Sequence, residues 1–152
     1  MNNISTDEIS PGWVCFHHDE TLGRYTMLGV RGGVIEKDSI KDEFDVLVAG
    51  DSMGCGSSRE QAPYSQLAAG VKLVIARSIE KIYGQNCQNI GLLTSTDFSL
   101  IPRIMAGEEI PIDQFTKHVD AIGGEIVRSG GLFEYNKRRM AGETAPPAIE
   151  TK

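Results

Sequence analysis

The clearest pattern in the chain is a set of short apolar runs separated by stretches with helical spacing. Residues 44–49 (FDVLVA) and 71–76 (VKLVIA) are short, apolar and rich in β-branched side chains, which predicts two buried strands. Between them, residues 58–69 (SREQAPYSQLAA) carry apolar residues at helical spacing, with an early proline that the start of a helix tolerates. Gly70 ends this predicted helix.

After the second strand the pattern weakens. A second helix opens at residues 78–81, and Asp97 caps a further helix that runs to Met105 and ends at Gly107. The other predicted elements are a polar turn at 86–91, a brief strand at 92–93, short strands near 110–112, 119–122 and 125–128, and a final helix over 133–140. This order indicates an α/β domain with a central sheet.

The region before the first strand has no regular period. Residues 3–12 include Ser, Thr, Asp and Glu side chains that bind local backbone amides, which predicts a capped turn. Residues 13–16 (WVCF) form a short β-type run. Residues 21–33 contain several glycines together with Arg24 and Arg31, which predicts a flexible connection that could act as a lid or specificity loop.

Length and charge limit the classes of protein. A chain of 152 residues can bury a substantial core, so we expect a single domain over residues 1–152, with 144–152 as a flexible tail. The net charge of −6 argues against non-specific binding to nucleic acid or to an anionic membrane. An anionic ligand would therefore need a local positive site.

The cysteines and the N-terminus indicate a reducing compartment. Cys15, Cys55 and Cys87 are widely spaced and form no CxxC pair, so they encode neither a disulfide framework nor a complete metal site. We expect Cys55 to be a small packing residue and not a metal ligand or nucleophile, and Cys87 to lie in the core or in a turn. The sequence shows no signal-peptide pattern and no long apolar run, which favours a cytoplasmic location without a membrane span.

Histidines are the other candidates for metal binding or acid–base chemistry. Adjacent residues of a strand point to opposite faces, so His17 and His18 cannot readily ligate one ion together. We expect one or both of them, and His118 with them, to be ordinary surface residues.

The most informative stretch is residues 54–60 (GCGSSRE), directly after the first predicted strand. Ligands of α/β folds bind at such junctions between a strand and a helix. Gly54 and Gly56 permit positive φ or close approach of a ligand, and Arg59 can grip a carboxylate through two parallel hydrogen bonds. The motif therefore predicts an anion-binding site, although it lacks the GK[ST] ending of a nucleotide-binding P-loop.

This motif is part of a longer resemblance. The run VLVAGDSMGCGSSREQAPYSQLAAGVKLVIARSIEKIYGQNCQNIGLL and the N-terminal STDEISPG resemble the swivelling domain of the aconitase superfamily. In 3-isopropylmalate dehydratase and homoaconitase-type enzymes, that domain is a separate polypeptide, the small subunit. The resemblance covers nearly the whole chain. It implies a three-layer β/β/α fold with a mixed central sheet.

The resemblance also implies roles for individual residues. Ser57 matches the serine that acts as catalytic base, and Asp7 matches an aspartate that supports the site from the N-terminal segment. The residues expected to bind substrate are Ser58, Arg59, Thr6 and Arg24. Arg24 lies in a loop that helps select the substrate's side group in related small subunits, and this loop departs here from the isopropylmalate and homoaconitate forms.

The implied reaction isomerises a 2-substituted malate by dehydration and rehydration, in leucine or related amino-acid biosynthesis. Such chemistry needs a base, a Lewis acid for the departing hydroxyl, and cations that hold carboxylates. This chain offers the base and the cation. The resemblance implies that the Lewis acid is a 4Fe-4S cluster on a large subunit, so the partners are that subunit, in a heterodimer or heterotetramer, and a di- or tricarboxylate.

Simpler roles for the motif remain open at this point. Ser57 and Ser58 are typical helix-capping residues, and Arg59 could form an ion pair with Glu60 or Asp51. The whole chain could also be a non-catalytic anion-binding or regulatory module that retains the swivel fold. We favour the catalytic interpretation because the complete motif is present.

Overall fold

Three short parallel strands form the only sheet in the part of the chain that the computed structural model describes, residues 1–143. They are β1 (Val46–Val48), β2 (Leu73–Ile75) and β3 (Leu93–Ser95), and they pair in that order. The register aligns Val46 with Leu73 and Leu73 with Leu93. The prediction of strands at 44–49, 71–76 and 92–93 is therefore confirmed.

The predicted mixed sheet is wrong, because both strand pairs are parallel. A helix follows each of the first two strands and returns the chain to the same end of the sheet, which makes the next strand parallel. In place of the second β layer expected from the family, residues 1–143 contain two isolated bridges, Ser5 with Cys55 and Met53 with Ile79.

Helices surround the sheet. They are α1 (Thr6–Ile9), α2 (Gln61–Ala68), α3 (Lys81–Ile90), α4 (Leu100–Met105), α5 (Ala121–Ser129) and α6 (Leu132–Met140), with 3₁₀ turns at Gly12–Val14, Glu20–Tyr25 and Ile112–Phe115. The predicted helices after β1 and β2, the helix ending at Met105 and the final helix are confirmed. No helix within residues 1–143 is long and apolar enough to cross a membrane.

The strands predicted near 110–112, 119–122 and 125–128 are wrong, because this region forms a 3₁₀ turn and helix α5. The Asp120 side chain accepts a hydrogen bond of 2.6 Å from the Gly123 N–H and so caps the helix. Ile126 and Val127 face the interior, and Gly130 ends the helix with a φ of 87°. Short apolar groups interrupted by glycines had the composition of strands but the spacing of a helix.

The polar turn predicted at 86–91 is also wrong, because helix α3 continues to Ile90. Tyr83 and Cys87 are one turn apart and both are buried, so their packing holds the polar residues between them in the helix. Burial raises the pKa of the Cys87 thiol to about 12. Of the two roles predicted for Cys87, core or turn, the core role is confirmed.

The N-terminal capped turn is confirmed as helix α1. The Ser5 hydroxyl accepts from the Glu8 N–H, and the Glu8 carboxylate accepts from the Ser5 N–H at 2.8 Å, which forms a capping box. The β-type run predicted at 13–16 is wrong, since this segment begins in a 3₁₀ turn at Gly12–Val14.

The connection at 21–33 is packed, which contradicts its predicted flexibility. Leu22 is fully buried, and the Cα of Gly23 lies so close to helix α2 that a Cβ there would be 2.5 Å from the Ala68 carbonyl carbon. The Arg24 guanidinium forms a bidentate ion pair with Asp38, with hydrogen bonds of 2.7 and 2.9 Å. The glycines of residues 21–33 are thus used for close backbone contact as well as for turns.

The core lies on both faces of the sheet. Val74 points into a cluster that includes Met53, Tyr83 and Leu92, whereas Leu73 and Ile75 point into a second cluster with Leu100. Both faces are covered, so the strands are continuous apolar runs. The tail predicted at 144–152 lies outside the described residues.

Replacing Gly23 with alanine tests this packing. The new methyl group would overlap the Ala68 backbone, so we expect Gly23→Ala to lower the free energy of unfolding by about 1–3 kcal/mol in urea titrations. Gly124→Ala is the matched control, because its Cβ would meet the movable end of Arg128 inside a helix. Equal stability of the two variants would contradict the packed arrangement.

Candidate active site

The GCGSSRE motif lies in the loop that follows the carboxyl end of β1. Gly54 and Gly56 have φ values of 82° and 101°, which only glycine adopts readily. Helix α2 begins at Gln61, three residues later than the predicted start at Ser58, so Ser57 to Arg59 belong to the loop. Neither serine accepts a capping hydrogen bond from this helix, and capping does not explain them.

The N-terminal segment holds this loop from one side. The Gly54 N–H donates to the Ile4 carbonyl and the Thr6 N–H donates to the Cys55 carbonyl, both at 2.8 Å. They form a parallel bridge between Ser5 and Cys55, directly before helix α1. Thr6 and Asp7 are thereby brought next to the serines of the motif.

The segment that leads into helix α3 holds the loop from the other side. The Met53 N–H donates to Ser78, and the Glu80 N–H donates to the Met53 carbonyl, both at 3.0 Å. The Tyr83 ring lies directly beside Gly54, where a Cβ would be 2.1 Å from the ring. Gly54 is therefore required by packing as well as by its φ.

Ser57 is hydrogen-bonded on two sides. The Arg59 Nε donates to the Ser57 Oγ at 2.8 Å, and the Thr6 Oγ1 lies 3.0 Å from the same oxygen. The Ser57 N–H donates to the Thr6 Oγ1 at 3.2 Å, which leaves the Thr6 hydroxyl hydrogen available to the Ser57 oxygen. The Arg59 Nε–H thus donates to the oxygen of an exposed side chain, and the Thr6 hydroxyl is placed to act as a second donor or as an acceptor.

Arg59 connects three segments of the chain. Besides Ser57, its guanidinium forms an ion pair with Asp7 and donates from Nη1 to the Cys15 Sγ at 3.5 Å. The Arg59 side chain is 29% exposed, so it is partly shielded but open to a ligand. The alternative in which Arg59 pairs with Glu60 or Asp51 is wrong for the described residues, because Arg59 pairs with Asp7.

Glu8 supports the placement of Thr6 and Asp7. Hydrogen bonds from Ser5 lower the pKa of the Glu8 carboxyl, and the bond from the Ser5 backbone N–H has the largest effect. The nearby Arg31 lowers this pKa further. Arg31 Nε lies 3.2 Å from this carboxylate. The Arg31 side chain is 84% exposed, so this ion pair adds little to the capping box that holds Glu8.

The structure brings together most of the residues expected at the site. Thr6, Asp7, Ser57 and Arg59 form one contact cluster, and Ser58 is exposed beside it. Arg24 makes no contact with this cluster among the described side chains, and its pKa is raised by the hydrogen bond with Asp38. The role of Arg24 in substrate binding stays a prediction.

Two contacts of the site were missed from the sequence. Cys15 touches Arg59, and the Asn86 Nδ2 donates to the Ser58 carbonyl at 3.3 Å. No local pattern marks either residue, because both reach the motif through the folding of distant segments. Asn86 also lies in the stretch wrongly predicted as a turn.

The histidines are exposed, as expected, and lie outside this cluster. His17 stacks on Tyr25 with a ring separation of 5.4 Å, and His17 and His18 line a cavity of about 180 Å³ next to Glu60. His118 lines a separate cavity of about 420 Å³ that includes none of the motif residues. Residues 1–143 contain no group of three or more His, Cys, Asp or Glu side chains placed to hold a metal ion.

The arrangement suits two chemical tasks. A guanidinium with an exposed edge can bind a carboxylate, and the same guanidinium stabilises negative charge on the serine oxygen that it contacts. A serine oxygen that accepts from a cation can serve as a base if it carries that charge. The cluster therefore places a carboxylate-binding group next to a serine of this kind.

Comparison with known proteins shows which family the chain resembles. Residues 35–97 match the family model described as "Aconitase C-terminal domain". The chain is 34% identical to a "3-isopropylmalate dehydratase small subunit" of Methanosarcina acetivorans, covering 92% of this chain and 93% of that protein. It is also 34% identical to a "Methanogen homoaconitase small subunit" of Methanocaldococcus jannaschii, covering 91% and 87% respectively.

A solved structure shows that the similarity extends to the fold. The crystal structure of a 3-isopropylmalate dehydratase chain from Methanocaldococcus jannaschii superposes with a TM-score of 0.71 at 31% sequence identity. The match covers 93% of this chain and 91% of that one. The similarity thus extends across the whole fold and is not confined to the motif.

The lowered pKa of Glu8 predicts a pH-dependent stability. At a pH above 4.5, the ordinary pKa of a glutamate carboxyl, the ionised Glu8 carboxylate stabilises the folded state. This contribution is lost as the pH falls through the lower pKa that Glu8 has in the folded state. We expect Glu8→Gln to cost about 0.5–1 kcal/mol at pH 7 and progressively less in acid, measured by urea unfolding. The exposed Glu109→Gln is the control, and a deficit of Glu8→Gln that is constant with pH would contradict the assignment.

Proposed function

Because this chain belongs to the family of 3-isopropylmalate dehydratase small subunits, we propose that it carries the base and one carboxylate-binding group of a two-subunit hydro-lyase. The reaction moves the hydroxyl of a 2-substituted malate to the neighbouring carbon through an alkene. The observation that carries this proposal is the 2.8 Å hydrogen bond from Arg59 Nε to the Ser57 Oγ, beside a guanidinium edge that a ligand can reach.

Binding of the substrate is the first task of the chain. A substrate carboxylate would approach the guanidinium of Arg59, which Asp7 and Cys15 hold in place. Arg59 has five N–H donors, so it can keep the hydrogen bond to Ser57 while it binds a carboxylate. Ser58, exposed beside it, is proposed to contribute its hydroxyl.

Proton removal is the second task. The Ser57 oxygen, as the alkoxide, takes the proton from the carbon next to a substrate carboxylate, and the electron pair of that C–H bond forms the alkene as the hydroxyl leaves. The Arg59 Nε–H and the Thr6 hydroxyl stabilise this alkoxide before the proton arrives. In rehydration, Ser57 returns the proton to the other carbon.

The other half of the site is proposed to lie on a large subunit. The names of the relatives as small subunits imply such a partner. The family resemblance assigns to it a 4Fe-4S cluster, which when bound would supply the Lewis acid for the departing hydroxyl. Heterodimer, heterotetramer and a cytoplasmic location are part of this proposal.

The substrate is proposed to be 3-isopropylmalate or a related malate. Two relatives that are each 34% identical to this chain are named for 3-isopropylmalate and for homoaconitate.

We expect the reconstituted pair to convert at least one of 3-isopropylmalate, citramalate, homocitrate and citrate, with alkene absorbance as the measurement. A pair loaded with its cluster that converts none of them would contradict the proposed reaction.

Ser57→Ala separates catalysis from simple binding. In the reconstituted pair we expect kcat to fall about 10²- to 10⁴-fold with little change in KM, because the base is lost while Arg59 remains. Ser39→Ala, which changes an exposed serine outside the site, is the control. Unchanged turnover of Ser57→Ala would show that Ser57 is not the base. A non-catalytic anion-binding or regulatory module would bind the acids while the large subunit alone carried out the turnover.

A further inference from the structure

The face of helix α3 that carries Tyr83 and Asn86 contacts the motif loop at two points. Tyr83 and Asn86 are three residues apart and therefore lie on one face of the helix. Tyr83 packs against Gly54, at the start of the motif, and the Asn86 amide donates to the Ser58 carbonyl, near its end. The helix thus spans the loop that carries Ser57.

The bond from Asn86 fixes the orientation of one peptide unit. Residues 1–143 contain no cis peptide bond, so the Ser58 carbonyl and the Arg59 N–H point in opposite directions. Since the carbonyl points toward helix α3, the Arg59 N–H points away from it. Within the described residues, this N–H donates to no backbone carbonyl.

We infer that Asn86 is a positioning residue that acts through the peptide between Ser58 and Arg59. By holding the Ser58 carbonyl, it directs the Arg59 N–H away from the helix as an additional donor for the substrate carboxylate. It also fixes the Arg59 Cα, from which the side chain reaches Ser57 and Asp7. The expected effect of Asn86 on turnover rests on the proposed function. The anchoring of the Ser58 carbonyl by Asn86 does not depend on that function.

Asn86→Asp tests the inference with little change in side-chain volume. At neutral pH the introduced carboxylate has no hydrogen to donate and repels the Ser58 carbonyl oxygen, so the peptide is released. In the reconstituted pair we expect kcat/KM to fall about 10- to 100-fold, because small misplacements of reacting groups are costly. Asn89→Asp, one turn further along the same helix, is the matched control and should stay within about twofold of the wild type.

A second measurement needs neither the partner nor a substrate. In the full chain alone, we expect the ¹H–¹⁵N resonance of the Arg59 amide to shift in Asn86→Asp at pH 7 and to move back toward the wild type as the pH is lowered. Protonation gives the introduced carboxyl a hydrogen that it can donate to the Ser58 carbonyl, so the anchor is restored. A variant that merely weakens the fold would not recover in acid.

The outcomes separate this inference from the proposed function. If the wild-type pair turns over and Asn86→Asp matches Asn89→Asp in both rate and Arg59 resonance, the positioning role is wrong and the proposed function stands. If the wild-type pair converts no substrate, the proposed function is wrong, and the resonance measurement alone decides whether Asn86 anchors the loop. An Arg59 resonance that is unchanged in Asn86→Asp overturns the anchoring.

Discussion

The hydrogen bond between the guanidinium of Arg59 and the hydroxyl of Ser57 is the interaction on which the site depends. It joins two residues of the loop after β1 that are two apart, so it depends on the conformation of that loop. The same guanidinium reaches Asp7 and Cys15 in the N-terminal region. One side chain therefore couples the conformation of the loop to the docking of a segment some fifty residues away in the sequence.

The loop is suited to this role because it is held by other parts of the chain and not by a helix of its own. Backbone bonds from Ile4, Thr6 and Ser78 fix it on both sides, and Tyr83 closes against Gly54. Such preorganisation lowers the cost of aligning Ser57 with a substrate when one binds. It leaves Ser57 and Ser58 exposed, as a surface shared with a second subunit would require.

The sequence predicts the parts of this protein that depend on local pattern. The strands β1 and β2 and the helices after them were found, and so was the cluster of Thr6, Asp7, Ser57 and Arg59, because apolar runs and the sequence motifs are local signals. Cys15 and Asn86 were missed. The α5 region was misread as strands, since glycines beside Ile122 and Ile126 hide a helical spacing that the cap at Asp120 establishes. The partners of Arg59 and the packing of Gly23 against Ala68 join distant segments, so no local rule identifies them.

The most direct test of a site divided between two chains is a titration of this chain into a fixed amount of its large subunit loaded with the iron–sulfur cluster, with alkene formation as the signal. For such a divided site we expect no turnover by either subunit alone and a rate that rises with added chain to a plateau at a fixed ratio. Turnover by the large subunit alone that is unchanged by this chain would contradict it.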